Sequence, residues 1–175
     1  NYDSAELLLN GKSLGIQKKN NSTKQNRYRL MWMDVKYEPG TLKVVAFDKD
    51  VNPASEKEIK TAGKPHQIVL DPDVKTMKAN GEDLCYVTVS VVDQNGILCP
   101  TATNQLTVNV KVEGTFKAAC NGDATSLELF HLPTMKLFSG KLVVLIQSTE
   151  DSGNIELSVS GKGLKKGNIS LKSLK

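Results

Sequence analysis

An all-β chain made of two tandem antiparallel β-sandwich units is what this sequence predicts, and three observations predict it. Apolar residues recur with period two through short segments, the signature of strands with one buried face. Clusters of Gly, Pro, Asn, Asp and Ser separate those segments at short intervals, which suits turns between antiparallel strands. No segment of useful length carries the apolar period of a helix.

In chain order, residues 5–9 run into Asn10-Gly11, a dipeptide that tolerates the positive φ angles of a two-residue hairpin, and residues 13–16 return as the partner strand. Residues 20–26 are polar and predict a loop. Residues 30–37 and 42–47 read as strands flanking Glu38-Pro39-Gly40, where proline presets φ and glycine permits the reversal. Trp32 shares a face with Leu30, whereas Val35 and Tyr37 fall on the other, so a bulge is expected near Met33-Asp34. Thr61-Ala62-Gly63-Lys64-Pro65 is a Gly/Pro hinge, and the two units are read as 1–63 and 64–175.

The second unit opens with a strand over residues 67–70. Asp71-Pro72-Asp73 then reads as a turn in which Asp71 hydrogen-bonds nearby backbone. Val87, Val89 and Val91 alternate with Thr88 and Ser90, and Cys85 lies on the valine face. Leu106, Val108, Val110 and Val112 alternate with Thr107, Asn109 and Lys111; Ile155, Leu157 and Val159 alternate with Glu156 and Ser158. Turn chemistry separates these runs at Asp93-Gln94-Asn95-Gly96, Asn121-Gly122-Asp123, Phe138-Ser139-Gly140 and Asp151-Ser152-Gly153.

Composition excludes several classes of function. The longest purely apolar run, Leu142-Val143-Val144-Leu145-Ile146, is far shorter than the ~20 residues of a membrane-spanning helix. The net charge of +4 comes from dispersed lysines, with Arg27 and Arg29 the only arginines; a nucleic-acid surface would concentrate Arg and Lys between stacking aromatics. Lys162, Lys165, Lys166, Lys172 and Lys175 read as a soluble tail. Cys85, Cys99 and Cys120 form no C-x-x-C pair, so neither a zinc knuckle nor a disulfide framework is indicated. They read as small buried hydrophobes, Cys120 beside Phe116 and Ala118, and one bridge from Cys120 to Cys99 or Cys85 stays open in an oxidising compartment.

No catalytic, cofactor-binding or metal residue is named by the sequence. Asp48-Lys49-Asp50-Val51-Asn52 has the opening rhythm of a calcium loop, but Pro53 and Ile59 replace its glycine and its final glutamate, so a hairpin turn is expected. His66 and His131 lack partners at ligand or triad spacing, and Gly161-Lys162-Gly163 lacks the ending and following helix of a phosphate loop. Glycosylation sequons stand at Asn20, Asn21 and Asn168. Trp32, with Tyr28, Tyr37 and Tyr86 the other large aromatics of note, is expected to anchor a core rather than form a sugar-stacking platform.

One resemblance adds to this reading. It rests in the first unit on Leu9-Asn10-Gly11-Lys12-Ser13-Leu14-Gly15, Trp32, Tyr37-Glu38-Pro39-Gly40 and Thr61-Ala62-Gly63. In the second it rests on Asn80-Gly81-Glu82-Asp83-Leu84, Val87-Thr88-Val89-Ser90-Val91, Asn121-Gly122-Asp123 and the turn at 138–141. In order and spacing these resemble the accessory domains that follow the catalytic barrel in bacterial glycoside hydrolase family 2 enzymes of the β-galactosidase type. The resemblance implies immunoglobulin-like sandwiches, the second also similar to invasin-type repeats. It further implies a first unit truncated at its N-terminus, with an unpaired edge left by the absent strand.

It also implies a parent that hydrolyses terminal β-galactosides or related β-linked sugars with retention, using two barrel glutamates that map to no position here. At 175 residues the chain is shorter than the ~250 of a (β/α)8 barrel, so it is expected not to be an enzyme by itself. The implied role is to brace the barrel, shape substrate access or supply an oligomer contact. A carbohydrate-binding module and a surface adhesin repeat are the alternatives. The implied partners are the catalytic barrel and other domains of the parent, with carbohydrate a further candidate, no cofactor, no nucleic acid, and a periplasmic or secreted location.

Overall fold

The structure, a computed structural model, describes residues 2–175. It is all-β, and it divides between Thr61 and Ala62 into two compact units. Gly63 falls in the second, where its N–H donates to Asp93 Oδ2 at 2.7 Å.

The first unit holds β1 (Ser4–Leu9), β2 (Lys12–Lys18), a short helix α1 (Lys24–Tyr28), β3 (Thr41–Phe47) and β4 (Pro53–Lys60). The strands form one antiparallel sheet in the order β2-β1-β3-β4. Asn10 and Gly11 have φ of 51° and 80°, the left-handed values that a two-residue hairpin needs. Asn10 then reaches across the sheet, accepting the Thr41 N–H at 2.8 Å and donating to the Pro39 carbonyl at 3.1 Å. The central strands pair Ala5 with Ala46, Leu7 with Val44 and Leu9 with Leu42 on one face, and Glu6 with Val45 and Leu8 with Lys43 on the other.

Two expectations for this unit are corrected. The polar stretch 20–26 is not wholly loop, because the Thr23 hydroxyl accepts the Asn26 N–H and caps the five-residue helix α1. Residues 30–37 form no strand, and a turn stands at Met33-Asp34 where a bulge was expected. A strand exists only through a neighbour's hydrogen bonds, and this segment pairs with neither edge strand of the sheet, β2 or β4.

The second unit is a two-layer sandwich of β5 (Gln67–Pro72), β6 (Thr76–Lys78), β7 (Leu84–Val92), β8 (Gln105–Val112), β9 (Gly114–Cys120), β10 (Thr134–Lys136), β11 (Lys141–Ser148), β12 (Gly153–Gly161) and β13 (Gly167–Leu174). One sheet runs β10-β8-β12-β13-β6 and the other β5-β7-β11-β9. The alternating residues meet between them: Val87, Val89 and Val91 with Leu142, Val144 and Ile146 from one layer, and Leu106, Val108, Ile155, Leu157, Val159 and Leu171 from the other.

Three further expectations are corrected here. The register of β11 against β9 shifts between Leu145 and Ile146, which leaves Lys117 as an extra residue. Beyond that bulge the alternation inverts, so Ala119 is buried and Cys120 is exposed. The late lysines are not a tail: Lys172 projects outward from β13, whose Leu171 and Ser173 are buried, and the Lys165 carbonyl takes the Ile68 N–H at 3.0 Å. Asp71 belongs to β5 itself, and it is Asp73 whose carboxylate accepts a backbone N–H, that of Tyr86, at 2.9 Å.

Candidate interaction surfaces

The carboxylates that make close contacts are occupied with turns and cross-strand pairs. Asp48 Oδ1 accepts the N–H groups of Asp50 and Asn52 at 2.9 and 2.8 Å, closing the β3–β4 hairpin; the Asn52 bond is the chief reason its carboxyl lies below the usual range. The calcium-like rhythm is thus a turn. Asp93 is buried and accepts N–H groups from Gly63, Asn95 and Ile97, and these bonds, that of Gly63 foremost, hold its carboxyl below the ordinary value. Glu128 takes the Lys136 N–H on both oxygens, and Glu56 pairs with Lys43 at 2.6 Å on the exposed edge.

The remaining chemistry-bearing residues are dispersed. Among the described residues, no three His, Cys, Asp or Glu side chains gather in a way that could hold a metal ion. His66 stands just before β5, its N–H on the Val92 carbonyl, and His131 lies in the β9–β10 connection. Cys85, Cys99 and Cys120 are all free thiols, so no bridge joins Cys120 to either partner; burial pushes the Cys85 thiol up to about 11.

Trp32 departs from the expected core position. It is half-buried, and its indole N–H donates to the Gly15 carbonyl at 2.9 Å, which fixes the ring beside β2. It borders a depression of about 410 Å³ lined by Leu9, Leu14, Gln17, Met33, Val35 and Glu38 among others. Met33 and Tyr37 are 80% and 77% exposed, so this segment presents apolar side chains to solvent. The underlying sheet is similarly uncovered: Leu7, Leu8, Leu9, Val44, Val45 and Phe47 are only half-buried, and Ala5 is the one fully buried apolar residue described in the unit.

The second unit offers two other surfaces. On the outer face of β8, β12 and β13, register places Asn109, Ser158 and Asn168 in one row and Lys111, Glu156 and Ser170 in the next, bordering a shallow polar depression of about 450 Å³. The connection between β9 and β10 exposes Leu127, Leu129, Phe130 and Leu132. Period-two reasoning passed over that run because it belongs to no strand, although its apolar density in a connection was visible.

The family profile described as glycoside hydrolase family 2 C-terminal domain 5 matches residues 68–170, well over half of the chain. The chain belongs to that family. A second profile, a domain of unknown function (DUF4982), matches residues 1–53. The chain is 40% identical over 163 residues to a β-galactosidase of Bacteroides ovatus, a match covering 93% of the chain and 18% of that enzyme. It is 26% identical over 177 residues to a β-glucuronidase of Formosa agariphila, covering 17% of that protein. A crystal structure of a family 2 member from Bacteroides cellulosilyticus superposes with a TM-score of 0.93 at 31% identity, covering 100% of this chain and 22% of the other. A β-glycosidase from Bacteroides vulgatus gives a TM-score of 0.88 at 28% identity, with 98% and 21% covered. The chain thus spans about a fifth of the length of the family 2 enzymes it matches.

Proposed function

We propose that this chain is a non-catalytic accessory region of a β-galactosidase-type family 2 enzyme and that it braces the rest of that enzyme. The observation that carries the reading is the first unit's sheet, whose apolar face of Ala5, Leu7, Leu9, Leu42, Val44 and Ala46 is, apart from Ala5, only half-buried. A sheet in water normally buries its apolar face and solvates the other, so an apolar face left half open calls for cover from outside these residues. The named relatives, about five times longer, support the reading, since such polypeptides contain the bulk that could supply it.

Two measurements test it together. The isolated chain is expected to hydrolyse no chromogenic β-galactoside, and the parent enzyme lacking this region is expected to melt earlier than the intact enzyme. Turnover by pure chain, abolished by mutating one of its glutamates, refutes the first half; an unchanged melt on deletion refutes the second. A carbohydrate-binding reading is favoured by one observation, the half-exposed Trp32 beside a depression that includes Gln17, Asp34 and Lys36. Trp32 emission that shifts on adding galacto-oligosaccharide would move it to first place.

A further inference from the structure

Residues 30–38 combine two properties that rarely coexist in a surface loop. Among the described residues, no backbone hydrogen bond joins this stretch to any other part of the chain, and none of its residues belongs to a ladder. Only side chains hold it, the Trp32 indole on Gly15 and the Tyr37 hydroxyl 3.4 Å from Thr61 Oγ1. Free backbone groups are ordinary where a loop is polar and water completes the bonding. Here the side chains are apolar: Met31, Met33, Val35 and Tyr37 are all exposed, and the depression beside them is walled by Leu9 and Leu14. Unpaired donors and acceptors together with apolar side chains are the features of an open strand edge.

We infer that residues 30–38 are a docking edge, and that the occupant is an extended segment from elsewhere in the same family 2 polypeptide, which adds to it as a β-strand. An added strand answers both needs at once, since its backbone pairs the open N–H and C=O groups while its alternate side chains fill the depression. The strand that period-two alternation predicts over residues 30–37 is then the form this stretch takes with its partner. The occupant is assigned to the same polypeptide because the matched β-galactosidase keeps more than four-fifths of its length outside the region shared with this chain. A tethered segment also binds at high effective concentration, which a weak strand addition needs. Free sugar would satisfy the depression but leave the backbone unpaired.

The inference rests on the accessory-region reading and names its contact. Hydrogen exchange of the isolated chain and of the full-length enzyme carrying it tests the point. Amides of residues 30–38 are expected to exchange nearly unprotected in the isolated chain and to slow by about tenfold or more in the enzyme; equal rates in the two overturn the inference. Met33→Asp supplies a second readout. It is expected to lower the melting temperature of the enzyme and leave that of the isolated chain unchanged, because Met33 is 80% exposed there. The same response in both proteins overturns it. Protection that appears in the isolated chain at raised concentration with a dimeric mass assigns the edge to a second copy and overturns the named occupant. Protection induced by galacto-oligosaccharide does so in favour of sugar. If deleting the whole region changes the enzyme's melt while exchange at 30–38 does not differ, this inference fails and the accessory reading stands.

Discussion

Replacing Val89 by Asp places a carboxylate in the middle of the second unit's core. Val89 is 0% exposed, lies opposite Leu142 on β11 and Leu70 on β5, and belongs to the cluster shared by both layers. Losing the buried valine surface costs about 2 kcal/mol. The carboxylate adds more, because with no partner it stays neutral by raising its pKa; a rise of about three units corresponds to roughly 4 kcal/mol at neutral pH. The sum approaches the roughly 5–15 kcal/mol stability of a typical domain, so the second unit is expected to be largely unfolded at pH 7. A folded pKa above the unfolded value of about 4 means the deficit is smallest below pH 4, grows as pH rises, and is complete above the folded pKa. Ser90→Asp is the control: Ser90 is half-exposed and pairs with Lys141, so a new charge there is expected to change stability by no more than about 0.5 kcal/mol. Calorimetric melts of both variants at pH 4 and pH 7 decide it, at about 4 °C per kcal/mol. Equal losses for the two, or a Val89→Asp deficit independent of pH, would refute the assigned register.

Other outcomes follow from single sites. Gly140 has φ of 74° and a Cβ there would lie 2.2 Å from the Cys99 carbonyl oxygen, whereas Gly122, at φ 77°, has open space around it; Gly140→Ala is expected to prevent folding of the second unit while Gly122→Ala costs only about 1–2 kcal/mol, as thermal melts will show. A thiol reagent is expected to modify exposed Cys120 rapidly and to reach buried Cys85 and Cys99 only on unfolding, so peptide mapping that finds all three labelled at one rate contradicts the bulge in β9. Because Asp93 is held below its ordinary value by backbone N–H groups, its carboxylate stabilises the fold above the unfolded value near pH 4 and loses that effect as pH falls through the lower folded value. Asp93→Asn is therefore expected to melt earlier than wild type at pH 7 and to show a flatter acid dependence; parallel pH profiles would remove Asp93 from that role.

The β-class and most of the second unit's core were legible because alternation there coincides with burial. Val87, Val89 and Val91, and likewise Ile155, Leu157 and Val159, each commit one face of a strand, and period two reports that directly. The Asn10-Gly11 hairpin was legible for a local reason, since its positive φ angles depend on the residues that occupy them. What misled was context. Cys120 looked buried because one extra residue at Lys117 inverts the alternation, and nothing in the residues 116–120 announces a bulge. Lys172 looked like part of a tail because the other late lysines are exposed, and only the buried Leu171 and Ser173 on either side of it mark its place in a strand.

The candidate surfaces were less legible, since exposure is a property of neighbours. Trp32 was assigned to a core on the strength of the strand around it. The residues are as apolar as that reading requires, but a strand needs another to bond with, and this segment joins neither open edge of the sheet, β2 or β4. By itself the sequence determined the all-β class, the turns, the inward valine and leucine faces and the likeness to family 2 accessory domains, because short-range periodicity and residue chemistry suffice for those. Only the tertiary structure decided that the first unit offers a single sheet whose apolar face is left half open and that residues 30–38 have no backbone partner elsewhere among the described residues. Pairing and burial depend on what is brought alongside a segment, and no local pattern encodes that.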